Sequence, residues 1–289
     1  PDVVLVGYLG HFDVHLARLV FRRTPIVLDH LVGAGDTARD RRLDGGLRAT
    51  LTRLIDAAAL RAADVIVVDT DEHLAALPAH RRDRGVVVPV GAPRAWFAPE
   101  PSTSDGPLRV VFFGLYTPLQ GAPVIGAALA ALRDLPVEVT MIGHGQDAAA
   151  TRSATTGHPA VTWLDWMPAA ELPAFVAGHD VCLGIFGTGP KALRVVPNKV
   201  FQGAAAGCAI ITSDTPPQRR ALGDAALLVP PGDPAALVSA IRRLADDRAE
   251  LARLRHAAHR LAIARFAPDQ VVAPLLGALP TGRKELTWR

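Results

Sequence analysis

Residues 195–207 read Val-Val-Pro-Asn-Lys-Val-Phe-Gln-Gly-Ala-Ala-Ala-Gly and place a proline, a lysine and a closing glycine at spacings that suit anion binding. Pro197 fits the first turn of a helix, where its missing N–H would be unpaired anyway, and Gly207 fits the stop ahead of the apolar run 208–211. A helix starting there aims the amides of Asn198, Lys199 and Val200 and the positive end of its dipole at one place, and Lys199 adds a full charge. That combination favours a diphosphate.

Other residues with chemistry fall, like these, on loops that follow apolar runs. Gly114 to Gly121 follows the run 109–113 and opens a helical segment, so a phosphate can rest on its amides, although an ordinary strand-to-helix turn explains the same glycines. Lys191 and Arg194 put two cations just ahead of Pro197. Trp166, after the run 161–164, offers a face on which a base can stack, or it is buried against its own domain. His144 stands between two glycines as a ligand group or a solvated loop residue. His11 and His30 end two earlier apolar runs, and each can serve as a base or hydrogen-bond a substrate hydroxyl, with His11 as a helix cap the alternative. The cysteines and histidines lack zinc spacing, and neither a Walker A run nor Gly-x-Ser-x-Gly occurs, which argues against metal and covalent serine chemistry.

Elements that position these residues need room. A chain of 289 residues with 49% hydrophobic content suffices for two cores. The formal charge of +3 is mildly basic, which points away from nucleic acid and toward anionic small molecules or an anionic membrane surface. Every apolar run is interrupted by Arg, Asp, His or Pro before it reaches a bilayer-spanning length. Cys182 and Cys208 fall in expected buried strands, consistent with a reducing compartment. The sequence opens almost directly on a core strand without Met, so earlier β-α units are expected to be missing from the first domain.

Short β-branched runs alternate with helical segments, the pattern of parallel sheets covered on both faces. Strands are predicted over 3–7, 25–29, 64–69, 86–89, 108–113, 137–142, 161–164, 180–186, 208–212 and 226–229. Helices are predicted near 11–22, 45–62, 71–77, 121–133, 169–177, 197–206 and 234–244, and the spacing of Leu251, Leu254, Ala258 and Leu261 adds one more. The Pro, Ser and Gly content of 91–107, with a wet tip at 102–106, marks a domain boundary: 1–98, 99–270 and a tail at 271–289. Residues 39–48 read as a mobile basic loop and the chain after 280 as frayed. Two open α/β domains in tandem place a cleft at the carboxyl ends of their strands, where ligands bind.

Together these segments resemble the nucleotide-sugar-dependent glycosyltransferases with two Rossmann-like domains facing each other across a cleft, the GT-B fold, and within them the retaining group 1 or family 4 type. The segments that carry the likeness are 88–92 with Trp96-Phe97, 111–121, 139–145, 161–166 with Glu171-Leu172-Pro173, 180–186, 197–212 and 228–234, in order over about residues 1–270. The first domain is incomplete on this reading. The resemblance implies a nucleoside diphosphate-sugar donor held mainly by the C-terminal domain, a saccharide, lipid or small-molecule acceptor held mainly by the N-terminal one, and transfer of a hexosyl group with retention, without metal or cofactor. It places the diphosphate loop on 195–199, with Asn198 and Lys199, the glycine loop on Gly114 and a sugar-touching histidine near His30, and leaves the base to the Trp166 face read above. With the cysteine usage and the mildly basic charge noted above, a cytoplasmic protein is expected, with possible peripheral contact at the inner membrane face and no nucleic acid partner.

This chain departs from the family pattern at several positions. The ribose-binding carboxylate falls on Gln202 and an earlier carboxylate on Arg194. A neutral amide accepts a weaker hydrogen bond than a carboxylate does, so reduced donor affinity is expected. Leu115 and Gln120 stand where basic residues are common, which leaves Lys199, Arg194 or Lys191 to meet the phosphate charge. These departures keep open a non-catalytic nucleotide-sugar-binding or scaffolding protein. A nucleotide-sugar epimerase would need paired acid/base carboxylates, which the segments do not supply. With acceptor-side units missing, residues 108–250 are expected to bind a nucleotide while the 289 residues alone transfer no sugar.

Overall fold

The computed structural model describes residues 1–31, 47–101 and 106–279. The basic loop read at 39–48 lies outside these residues except for its last two, which open the helix Leu47–Ala62; the tip at 102–105 and the tail from 280 also lie outside.

Two compact units share the chain, one of Pro1–Pro89 with the residues from Val271 onward and one of Val90–Gln270. The boundary read at 98/99 sits downstream of the division because Ala92 and Trp96 are buried in the second unit's core, with Trp96 stacked on Phe113 at 5.4 Å. Residues Ala273–Ala278 form a helix that packs on a strand of the first unit.

The first unit holds the parallel strands β1 (Val4–Val6), β2 (Ile26–Asp29), β3 (Val65–Val68) and β4 (Gly85–Val87), paired in sequence order. Its core joins Val6, Ile26, Leu28, Ile66 and Val68 to Val14 of the helix Asp13–Val20 and to Ala59 and Leu60 of Leu47–Ala62. Asp64 fixes the corner: its Oδ2 accepts from the Ile26 amide at 2.9 Å and from the Arg18 guanidinium at 2.5 Å. Phe12, Leu16, Leu19 and Val20 are exposed.

The second unit is a parallel sheet in the order β10-β9-β8-β5-β6-β7. Its strands are β5 (Leu108–Phe113), β6 (Val137–Ile142), β7 (Val161–Leu164), β8 (Val181–Leu183), β9 (Ala209–Ser213) and β10 (Ala226–Val229). Alternation along β5 sends Leu108, Val110 and Phe112 to one face, under the helices Ala122–Ala130 and Pro234–Asp246, and Val111 and Phe113 to the other, under Asn198–Ala205 and Arg248–Arg265. Asp233 caps its helix through the Ala236 amide at 3.0 Å, a contact of about 1 kcal/mol. β8 is shorter than the run 180–186. Gly184 and Ile185 leave the ladder where the Ile185 amide bonds the Thr212 hydroxyl at 3.2 Å.

The chain runs from β5 outward to β7, then crosses to the other side of β5 and runs from β8 outward to β10. The loops after β5 and β8 therefore diverge onto opposite faces and leave a crevice at the carboxyl ends of the two central strands.

Candidate functional site

That crevice is bordered by Gly114–Gly121 after β5 and by 184–197 after β8. The glycine loop is held on both sides. The Gly114 amide bonds Ile142 at 3.1 Å, the Tyr116 amide bonds His144 at 2.8 Å, and the Gln120 carbonyl accepts from the Phe186 amide at 3.0 Å. Gly121 has φ +64°, and a Cβ there would come within 2.4 Å of the Phe186 carbonyl carbon, so the loop meets the β8 segment at a distance only glycine permits.

Lys199 reaches this loop from the second position of the helix Asn198–Ala205. The residue is 4% exposed, its Nζ donates to Gln120 Oε1, and it lies 3.7 Å from the centre of the Phe112 ring. A Cβ on Gly114 would stand 3.1 Å from the same Nζ. Burial lowers the Lys199 pKa to about 7, with the Cys182 thiol acting in the opposite direction. The full charge expected of Lys199 is therefore reduced near neutrality, because the side chain is buried. Burial pushes the Cys182 thiol up to about 12, which leaves it a packing group.

Two details of the helix start differ from the sequence reading. Pro197 occupies the N-cap position, with ψ 149°, rather than the first helical turn. The Val200 amide is not directed outward but bonds the Pro197 carbonyl at 2.9 Å, because the helix closes its first turn there. Asn198 is exposed and Gln202 is half-buried on the same helix. Gly207 ends it as predicted, at φ +80°.

Lys191 precedes the single turn Ala192–Arg194, and the Arg194 Nε donates to the Pro190 carbonyl at 3.0 Å. Both side chains are half-buried. Trp166, beyond β7 on the same carboxyl edge, is 71% exposed rather than packed on its own domain. Beside it the Asp165 carboxylate pairs with Arg152, and the Asp165 carbonyl lies 3.4 Å from His144 Nδ1. Gly114, Trp166, Lys191, Arg194, Asn198 and Lys199 thus belong to loops or a helix start at one end of the second sheet, while Gln202 lies one turn further along the helix Asn198–Ala205.

His11 and His30 lie in the first unit, at the carboxyl ends of β1 and β2. Both are buried, their rings meet edge-on at 5.7 Å, and His11 Nε2 lies 3.1 Å from Asp56 Oδ1. Asp56 raises the His11 pKa against the opposing effect of burial. The Asp29 carboxyl is also raised, chiefly by burial. Sequence reasoning missed a second pair on this edge, in which His73 Nδ1 sits 2.5 Å from Asp69 Oδ1 and His73 Nε2 has no hydrogen-bond partner among the described residues. The signal was present as an aspartate and a histidine four apart across a strand end and a helix start. Asp56 carried no such signal, since its helix lies far along the chain. Among the described residues no group of three or more His, Cys, Asp or Glu is placed to hold a metal ion, and no helix is long and apolar enough to cross a membrane.

Residues 107–247 match the family model described as Glycosyl transferases group 1. A comparison with curated protein sequences gives no match. Among solved structures the chain is similar to sucrose-phosphate synthase from Thermosynechococcus elongatus, at 17% identity and TM-score 0.74 over 96% of this chain and 72% of that one. It is also similar to Anabaena HepE in complex with UDP and glucose, at 16% identity and TM-score 0.75 over 96% and 78%. A glycosyltransferase from Rickettsia africae matches at 12% identity and TM-score 0.65 over 97% and 98%. These likenesses identify the fold as GT-B, built from two Rossmann-like units.

Proposed function

Because the chain carries a group 1 glycosyl transferase domain across residues 107–247, we propose that it binds a nucleoside diphosphate-sugar and serves transfer of the hexosyl group to an acceptor hydroxyl with retention of configuration. The observation that carries this reading is the Lys199 ammonium beneath Gly114 and Gln120, at the point where the sheet order reverses. The diphosphate rests on the glycine loop and the start of the helix Asn198–Ala205, with Lys191 and Arg194 adding charge, Trp166 stacking on the base and Gln202 accepting from the ribose. HepE was solved with UDP and glucose, which agrees with a donor of this class.

On this reading the first unit takes the acceptor, a saccharide, lipid or small molecule, with His30 and His11 as its catalytic residues and no metal or cofactor. A cytoplasmic location with peripheral contact at the inner membrane face is part of the same proposal. The exposed Phe12, Leu16, Leu19 and Val20 beside the exposed Arg22 and Arg23 support that contact.

Calorimetric titration with UDP-, GDP- and ADP-sugars tests the reading, combined with an assay for released nucleoside diphosphate. Saturable binding of at least one donor is expected, and silence across the panel in both measurements contradicts it. The replacement of an expected carboxylate by Gln202 favours one second reading, a protein that binds nucleotide-sugar without turning it over. Turnover created by Gln202→Glu in an otherwise silent protein would support that alternative.

A further inference from the structure

The Lys199 ammonium faces a set of neighbours that cannot neutralise it. Its acceptor is the neutral amide oxygen of Gln120, its flat wall is the Phe112 ring, and the residue is 4% exposed. A buried ammonium without a counter-ion favours its neutral form, and an anion brought alongside reverses that preference.

Among the described residues, no carboxylate of the surrounding elements acts on Lys199 already. On β8 the titratable neighbour is the Cys182 thiol, and β5 presents Phe112. On Arg248–Arg265, which packs along the same helix as Lys199, Arg255 bonds Gly207 and Asp180 while His259 bonds the Ala98 carbonyl. Near the turn Arg94–Trp96, Arg94 pairs with Asp269. Just after Leu172–Ala177 and just before β9 the nearby titratable groups are His179, which bonds Phe175, and the Cys208 thiol, which is close to the Val176 and His179 carbonyls.

We propose that Gln120 is a positioning residue that holds the Lys199 amine beneath the glycine loop and releases it to the donor diphosphate, and that the site takes up a proton onto Lys199 as the diphosphate binds. The proposal rests on the donor reading above. It explains how a site with a neutral residue at position 120 supplies a cation, since Lys199 reaches the Gln120 side chain from the helix on the other side of the crevice. The Nζ lies close enough to Gly114 that an anion resting on that loop becomes its next neighbour. With the amine's pKa near 7 in the free protein, the proton arrives from solvent at neutral and higher pH.

The test is calorimetric titration of the full chain with UDP, GDP and ADP, each in two buffers that differ in ionisation enthalpy. At about pH 8 the diphosphates are fully ionised and the free amine is mostly neutral. The expected result is a binding enthalpy that differs between the buffers by nearly one proton absorbed, shrinking toward zero at about pH 6. Lys199→Met should abolish the buffer dependence and weaken binding at least ten-fold. Gln120→Glu should abolish it at about pH 8 while Lys199 is still present, because a carboxylate keeps the ammonium charged beforehand. Gln120→Met should retain proton uptake and move its midpoint to lower pH. Binding of a diphosphate with the same enthalpy in both buffers at about pH 8 overturns the proposal and leaves the donor reading standing. Failure of all three diphosphates to bind overturns the donor reading and this proposal with it. The wild-type comparison decides the matter even if a variant fails to fold.

Discussion

The Lys199 ammonium lies 3.7 Å from the centre of the Phe112 ring, inside a domain rather than on its surface. Burial moves its pKa from 10.5 to about 7, so the unfolded chain holds this proton more tightly than the folded one. Within that window the unfolded state binds the extra proton, and stability rises with pH by up to about 1.4 kcal/mol per unit. Lys199→Met should remove this contribution. Denaturant unfolding at a series of pH values should show the wild type gaining on the variant as pH rises. A constant difference across the window contradicts the burial account.

His11 carries the opposite sign. Asp56 raises its pKa, so the folded chain binds the proton more tightly than the unfolded chain. The pairing contributes stability below the ordinary value of 6.5, and loses it as pH rises through the raised folded value. Asp56→Asn should lower the His11 pKa and cost about 1 kcal/mol at about pH 5, with the loss fading by about pH 8. Titration of the His11 ring protons by NMR checks this, and an unmoved midpoint contradicts it.

Gly121→Ala tests the anchoring of the glycine loop. The new methyl would meet the Phe186 carbonyl carbon at 2.4 Å and the Gly187 nitrogen at 2.5 Å, at a residue whose φ is +64°. The left-handed backbone alone costs about 1 kcal/mol for alanine, and the clash with backbone raises the loss to about 2 kcal/mol or more. Urea unfolding should show that loss. A change within about 0.5 kcal/mol would mean the loop is not clamped between β5 and β8.

Much of the scaffold was legible because its strands are short runs rich in β-branched and apolar residues bounded by turns; β5, β6, β7 and β10 match their predicted spans residue for residue. The helices Ala148–Ala154 and Pro216–Leu222 were missed because neither sequence carries a periodic apolar stripe. At the site, the glycine loop, the lysine and the helix stop were legible as local patterns. The burial of Lys199 was not, since its acceptor Gln120 belongs to a loop separated from it by 79 positions. Asp56 was hidden for the same reason, and the pairing of Asp69 with His73 was overlooked although its spacing is local.

Gln202→Glu should tighten nucleoside diphosphate binding. If Gln202 accepts from a ribose hydroxyl, a carboxylate at this half-buried position strengthens the bond by about 1 kcal/mol, or about five-fold in Kd. Calorimetry with the diphosphate that binds the wild type checks this, and unchanged or weaker binding removes Gln202 from the ribose contact.

The central claim is that a diphosphate sits where the glycine loop meets the start of the helix Asn198–Ala205. Soaking crystals with UDP and with GDP tests it most directly. The account predicts diphosphate density against Gly114 and the Asn198–Lys199 amides, within hydrogen-bond reach of Lys199 Nζ, with the base beside Trp166. A nucleotide bound elsewhere, with Lys199 still closed on Gln120, would contradict it.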